Sequence, residues 1–291
     1  MCIIVAKYFP GIGWSGAKNR DRKYIPTLDF IESSKRGIGR MMMHDQVTGY
    51  KEGINSHGVS ILNTSLDVLE DEPDVETGNA KSSPDGAIIA TALLHDNALD
   101  AVHYVIKKKL VGCTIVFDKE NMFLVEASDQ DGSRPYRHVV KKIPTTETVA
   151  RTNHGIWLPW ASFQRRRNDK QQTADRISSE ARLLQAQHVV KHAKTPQDLV
   201  DGMCRVNTTH PQLNIMRMST EKDQFRTTSQ ELCVPSERTL YCRPISSHVK
   251  FDFWSLNKPE PNVWVEILSN RALWQNVKGD PPFGRMNMKD I

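Results

Sequence analysis

Long hydrophobic runs are missing from this 291-residue sequence. No stretch approaches the ~20 apolar residues that a membrane-spanning helix requires, so a helical membrane protein is not expected. The first apolar run is about five residues long with no basic region ahead of it, which is not the pattern of a secretory signal. Cysteine is scarce and odd in number: five residues, at positions 2, 113, 204, 233 and 242, with no C-x-x-C spacing among them. That argues against a paired disulfide framework and points to reduced thiols in a cytoplasm. A large excess of one charge is also lacking, since 39 Lys and Arg face 34 Asp and Glu, a formal net charge of +5. The two dense basic runs, Lys107-Lys108-Lys109 and Arg165-Arg166-Arg167, carry no interleaved aromatics. They read as solvated helix ends or loops, and no nucleic-acid partner is expected. His188 and His192 lie four apart on a helical stretch, but QHVVKH lacks the glutamate of a zinc-protease motif. Both are expected to face solvent, with no metal and no cofactor.

What is present describes a folded chain. Hydrophobic residues make up 38% and charged residues 25%, the balance of a globular protein with enough material for a core. The β-branched start, residues 1–8, predicts a strand, PGIGWSG at 10–16 a Pro/Gly turn, and AKNRDRKY a return strand. GRMMMHDQVTGYKEGINSHGVSILNTSL predicts further short strands with a hairpin turn at NSHG. The acidic, Pro/Gly/Ser-rich stretch at 65–86 predicts a loop. DNALDAVHYVIKKKL predicts a helix capped by Asp96, with Leu99, Val102, Ile106 and Leu110 on one face. CTIVFDKENMFLVEAS predicts a hairpin. RISSEARLLQAQHVVKHAK predicts a second helix burying Leu183, Ala186, Val190 and Ala193, and Thr195-Pro196 starts a third. Beyond residue 210, QLNIMRMS, RTLYCRPIS, HVKFDFWSL and NVWVEILS predict strands. Strands, then helices, then strands, without a repeat or a marked linker, give one α+β domain over 1–291.

Cys2 is the residue with chemical promise. A thiol attacks as its thiolate and needs a base. If Met1 is removed, which a small second residue permits, the α-amine of Cys2 is available for that role, with an ordinary pKa of ~7.7–8.0. The plainer reading is a small apolar residue at the head of a strand. Three further sets of residues weigh against it. Asp21, in Asn19-Arg20-Asp21, suits the α-amine, while Arg20 or Lys18 suits the thiolate. Asn63 and Asn153, each at a strand end, offer uncharged amide donors of the kind an oxyanion site uses.

Together these residues resemble the cysteine N-terminal-nucleophile hydrolases. Met-Cys opens a strand, K-N-R-D follows about twenty residues on, and G-I-N-S-x-G leads into a strand with Asn63, before a later T-N-H. The group most similar is the linear-amide C–N hydrolases, which include choloylglycine hydrolases, penicillin V acylases and related acyltransferases. The resemblance implies a four-layer αββα sandwich of two mainly antiparallel sheets flanked by helices. It implies Cys2 as nucleophile, Asp21 as the residue positioning its amine, Asn63 in the oxyanion hole and Asn153 as a second catalytic asparagine. A family arginine at the start of a helix is matched by Arg182, with Arg176 competing. The family's Arg-Asn-x-Asp is Lys18-Asn19-Arg20-Asp21 here, so Lys18 keeps the charge and loses the bidentate fork. With Lys18 pointing inward, Arg20 is expected on the opposite face. The Asn-Arg-Asp string is also similar to that of a less characterised branch of the fold.

The resemblance implies hydrolysis of a linear amide in a small N-acyl substrate through an acyl-thioester. Acyl transfer at the same site, a glutamine amidotransferase domain and a silent binding module are the competing readings, and self-association into a homo-oligomer stays open. Loops at 10–16, 64–85 and 157–163 are expected near the nucleophile. Trp157, Trp160 and Phe163 read first as packing and second as an apolar acyl pocket.

Overall fold

A computed structural model describes residues 2–24, 26–35, 37–66, 84–129, 135–161, 169–204, 210, 213–217, 225–245, 250–252, 264–268 and 274–277. Two sheets hold all of the strands among the described residues. Sheet A has the order β10-β1-β2-β11-β12-β14-β15. Its strands are β1 (Ile3–Phe9), β2 (Gly13–Arg22), β10 (Thr148–Arg151), β11 (Arg226–Val234), β12 (Thr239–Pro244), β14 (Trp264–Leu268) and β15 (Trp274–Val277). Sheet B has the order β13-β3-β4-β5-β6-β7-β8-β9. It contains β3 (Thr27–Lys35), β4 (Ile38–Asp45), β5 (Tyr50–Asn55), β6 (Ser60–Thr64), β7 (Gly112–Phe117), β8 (Met122–Ser128), β9 (Arg137–Lys142) and β13 (Lys250–Asp252). All pairings are antiparallel except β13 with β3. Among the described residues four helices flank the sheets: α1 (Pro84–Ala92), α2 (Ala98–Lys107), α3 (Asp169–His192) and α4 (Pro196–Gly202).

Side-chain alternation along the strands builds the layers. In β1, Ile4 and Ala6 enter the core between the sheets, where they meet Leu28, Met41, Ile54, Leu62 and Ile115 of sheet B. Ile3 and Val5 point the other way, against Leu183 and Val190 of α3 and Leu199 and Val200 of α4. On the far side, Met42, Ile61, Val116 and Val125 of sheet B pack against Ile89 of α1 and Val102 and Val105 of α2. The order is helices, sheet A, sheet B, helices: the αββα sandwich. Because β1 is covered on both faces, it reads as a continuous apolar run rather than an alternating one.

Several sequence expectations change in detail. The cap of α2 is Asn97, whose Oδ1 accepts the Asp100 N–H at 2.9 Å, rather than Asp96. Of the expected face, Val102 and Leu110 are buried and Ile106 is half-buried, while Leu99 is 46% exposed and Ala98, Ala101 and Val105 complete the buried side. Helix α3 begins ahead of the expected start and buries Leu183, Ala186 and Val190 as expected. The Thr195 cap forms as a full capping box with Asp198. Residues 213–217, within the expected strand QLNIMRMS, contain no strand. Strand β2 lies between β1 and β11, and RTTSQELCV of β11 has too few apolar residues for its period to show. Strand β2 starts at Gly13, inside the expected turn, and α1 occupies the end of the expected 65–86 loop, whose residues 67–83 lie outside the described set. The turn at NSHG forms with Gly58 at φ +85, where a Cβ would stand 2.7 Å from Pro235 O. Among the described residues no helix is long and apolar enough to cross a membrane.

Candidate active site

The β1–β2 hairpin brings the start of the chain beside the K-N-R-D string, with Ile3 opposite Asn19 and Ile4 opposite Lys18. Cys2 precedes β1 and is buried, 5% exposed. Along β2, Lys18, Arg20 and Arg22 face sheet B, while Asn19 and Asp21 face the α3/α4 layer. The expectation that Lys18 and Arg20 part company across the strand is corrected. Residues two apart share a face of a strand, and both cations bind Glu52.

The inward face carries a buried ionic cluster. Lys18 Nζ donates to Glu52 Oε1 at 2.6 Å, to Glu52 Oε2 at 2.7 Å and to Asn63 O at 2.7 Å. Arg20 binds Glu52 through Nη2, donates from Nε to Glu231 Oε1 at 3.3 Å, and lies with Nη1 3.8 Å from Asp45 Oδ2. Arg22 Nε donates to Tyr24 Oη at 3.0 Å and to Asp45 Oδ2 at 3.3 Å, and Tyr24 Oη donates to Asp45 Oδ2 at 2.5 Å. Arg22 Nη1 donates to Asp21 O at 2.9 Å and lies 3.6 Å from Cys2 Sγ.

Burial by itself pushes carboxyl groups up, but Lys18 and Arg20 hold Glu52 below its ordinary range, and Arg22 and Arg20 do the same for Asp45. Glu231 fares differently. Burial and the neighbouring Glu52 charge push it up to about 8, because Glu52 takes the closer contact with the shared Arg20 and the Lys18 ammonium as well. Its folded-state pKa exceeds its unfolded value, so its contribution favours folding at low pH. That contribution is lost progressively as pH rises from the unfolded value towards about 8. Glu231→Gln is therefore expected to gain stability relative to the parent as pH rises from ~5 to ~8, measured as the difference in urea midpoint. A difference that shrinks over that window would contradict a protonated Glu231.

At Cys2, burial again raises the thiol, but Lys18 and Arg22 outweigh it and hold the thiol below its ordinary value. The contrast with the other buried cysteines is large. Burial pushes Cys113 up to about 12 and lifts Cys233 and Cys242 well above the ordinary thiol range.

Asn153 lies just beyond β10 and meets Cys2 directly: the Cys2 N–H donates to Asn153 Oδ1 at 2.9 Å. The Asn153 amide donates from Nδ2 to Thr64 Oγ1 at 3.0 Å and Ser65 O at 2.7 Å, and its backbone N–H donates to Ser179 Oγ at 3.1 Å. Ser179 of α3 also donates to Thr152 Oγ1 at 2.9 Å and lies 2.9 Å from His154 Nδ1. Burial lowers the His154 pKa, which favours the neutral ring in this cluster.

Asp21 joins the hairpin to α3. Arg182 Nη2 binds Asp21 Oδ2, Thr227 Oγ1 donates to Asp21 Oδ1 at 2.8 Å, and Arg182 Nε donates to Asn214 O at 2.9 Å. Arg176 pairs with Glu180 at 2.9 Å on the exposed side of α3, so Arg182 is the arginine that reaches the hairpin. Asn63 does not reach Cys2 with its side chain. Its Nδ2 donates to Val111 O at 3.0 Å and Thr114 Oγ1 at 2.7 Å, away from the nucleophile candidate. Alternation along β6 sends Thr64 inward instead, and Thr64 Oγ1 donates to Cys2 O at 3.4 Å.

Trp157 and Trp160 are half-buried against the inter-sheet core, consistent with packing. The backbone N–H groups of Trp157 and Leu158 donate to Glu126 Oε1 at 2.8 and 2.6 Å. Phe163 lies outside the described residues. His188 and His192 are exposed. Among the described residues no three His, Cys, Asp or Glu groups are placed to hold a metal. The residues missed at the sequence level are Arg22, Thr64, Glu52 and Ser179. Strand period alone could have found Arg22, two residues beyond Arg20 on the same face.

No protein-family model matches the sequence, and no curated protein matches it. Solved structures do match in fold. The chain is similar to penicillin V acylase from Agrobacterium tumefaciens at 11% identity and a TM-score of 0.51, over 96% of this chain and 98% of that one. It is similar to a Cys→Ala variant of conjugated bile acid hydrolase from Clostridium perfringens at 11% identity and 0.51, over 96% and 97%. A second variant of that hydrolase gives 10% and 0.50, over 96% and 97%. At such identities what is shared is the fold.

Proposed function

We propose that this protein is an amide hydrolase that cleaves a linear C–N bond in a small N-acyl substrate, with Cys2 as nucleophile. The observation that carries the reading is the setting of Cys2. Its nitrogen is bonded to Asn153 Oδ1 at 2.9 Å and its sulfur lies 3.6 Å from Arg22, while burial and charge separate its thiol from the other buried cysteines. The shared fold with two amide-cleaving enzymes supports the same class of reaction.

In this reading Met1 is removed and the Cys2 nitrogen becomes the α-amine, which Asn153 keeps oriented through Oδ1. The amine takes the thiol proton. The thiolate attacks the substrate carbonyl, a C–S bond forms, the C–N bond breaks, and the proton passes to the departing amine. Water then attacks the thioester, releasing the acid and restoring the thiol. Asp21 and Arg182 act by fixing the β2 backbone beneath the nucleophile. Asn63 contributes through its carbonyl contact with Lys18, and its amide, engaged with Val111 and Thr114, is not assigned the oxyanion role.

The test is an amine-release screen over N-acyl amino acids, penicillin V and short linear amides, with acid-quenched protein weighed after each turnover assay. Amine release with an acyl mass on the peptide that begins at Cys2 is the expected result. Release with the acyl group on another residue, or no release from any of the three classes, would overturn the reading.

A further inference from the structure

The family-like position for a thiolate-supporting cation is Lys18, yet its ammonium has three protons and three close acceptors: both Glu52 oxygens and Asn63 O, all within 2.7 Å. Lys18 thus acts on Cys2 through its field alone. Arg20 is turned to Glu52 and Glu231. Among the described residues, Arg22 is the cation with an N–H at the sulfur, 3.6 Å from Nη1 to Sγ. We propose that Arg22 is a further catalytic residue of this site, which holds the Cys2 thiolate by direct contact in place of the residue at position 18. The assignment rests on the reading of Cys2 as the nucleophile.

The guanidinium is fixed from behind, as such a role requires. Nε bonds Asp45 Oδ2 and Tyr24 Oη on one side, and Nη1 bonds Asp21 O on the other, which leaves the planar fork one orientation. Tyr24 in turn donates to Asp45, so the brace is a closed triangle of three side chains. Arg22 is 14% exposed, whereas Asp45 and the Arg20 side chain are wholly buried, so Arg22 stands at the rim of the cluster. The groups that bear on Cys2 from the surrounding elements are Lys18, Asp21 and Arg22 of β2, Tyr50 of β5, Thr64 of β6 and Asn153 after β10, with Glu52 of β5 behind Lys18. Behind them lie Arg20, Asp45 and Glu231. At the sulfur itself the direct cationic contact comes from Arg22.

The readout is the rate of Cys2 alkylation by iodoacetamide against pH, with the labelled peptide identified by mass, on the full chain. The parent is expected to show a midpoint below the ~8.5 of an ordinary thiol. Arg22→Met is expected to raise that midpoint by about one pH unit or more, which is at least ~10-fold in thiolate at a pH below both midpoints. Arg22→Lys keeps a charge beside Asp45 for folding but cannot bond Asp45 and the sulfur together, and is expected to raise the midpoint by a smaller amount. Tyr24→Phe, which loosens the brace, is expected to shift it in the same direction. An unchanged midpoint in folded Arg22→Met overturns the assignment. If that variant does not fold, an unchanged midpoint in Arg22→Lys and Tyr24→Phe does so. Alkylation needs no substrate, so a raised midpoint in a protein that turns over no amide would sustain the hold of Arg22 on the Cys2 thiolate and sink the hydrolase reading, and with it the catalytic role. Turnover with an unmoved midpoint would do the reverse.

Discussion

Cys2→Ala is expected to lower amide turnover by ~10³-fold or more, the scale seen when a covalent nucleophile is removed. The side chain is small and sits ahead of β1 rather than inside a packed layer, so the fold should survive the change. The lost sulfur leaves the Cys2 nitrogen and its contact with Asn153 Oδ1 in place. Cys2→Ser is a sharper probe. It nearly keeps the size and puts a hydroxyl in place of the thiol, but raises the pKa of the attacking group far beyond what Lys18 and Arg22 can offset, so it is expected to fall almost as far as alanine. Steady-state rates on the substrate found in the screen, together with a thermal melt of each variant, decide the matter. Turnover within about ten-fold of the parent in a folded Cys2→Ala protein would remove Cys2 from the chemistry. Iodoacetamide labelling of that variant at neutral pH, read peptide by peptide, is expected to lose the label on the peptide that begins at residue 2 and to leave that on half-buried Cys204 unchanged, while Cys113, Cys233 and Cys242 stay slow because they are buried with raised pKa values.

Arg182→Ala should cost about 3–5 kcal/mol of stability, because it leaves the Asp21 carboxylate buried without its ionic partner. Both side chains are fully buried, so the carboxylate left behind has no contact with bulk solvent. Thr227 Oγ1 remains as a donor at 2.8 Å, a neutral hydrogen bond that cannot neutralise the charge. The loss should appear as a lower urea midpoint with little change in slope. The double variant Asp21→Asn with Arg182→Met removes both charges and is expected to be more stable than Arg182→Ala alone. If the double variant were no better, the penalty would lie in packing of the arginine stem or in its bond to Asn214 O rather than in the stranded carboxylate. The same bridge links α3 to the strand that carries Arg22, so its loss is also expected to blunt Cys2 reactivity. An unchanged alkylation rate in a folded variant would separate the two.

Much of this architecture was legible in order of strength of signal. Strand β1, with both faces covered, announced itself as an unbroken apolar run. Helix α4 was marked by Thr195 and Pro196, and the buried side of α3 by the spacing of Leu183, Ala186 and Val190. Strand β11 was not legible. Its side chains from Thr227 to Glu231 are buried yet polar, because they serve Asp21, Arg20 and Asn19 rather than an apolar layer. The cap of α2 was misplaced by one residue, since Asp96 and Asn97 are equally good capping types and the choice depends on where the chain turns.

The site divides in the same way. Cys2, Asp21, Asn153 and Arg182 were visible as residue types at spacings that suit one chemistry, and their positions along the chain are properties of sequence alone. Which of them meet was decided in space. Asn63 turns outward and Thr64 inward because a strand has two faces and only the partner sheet defines which is which. Arg22 gains its role from Asp45 and Tyr24, and Lys18 is drawn off Cys2 by Glu52, a residue on another sheet. A local pattern fixes what a residue can donate or accept. The acceptors that compete for it are distant in sequence: those of β4 and β5 come within hydrogen-bond reach when sheet B closes over sheet A, and that of β11 when β11 pairs beside β2 within sheet A.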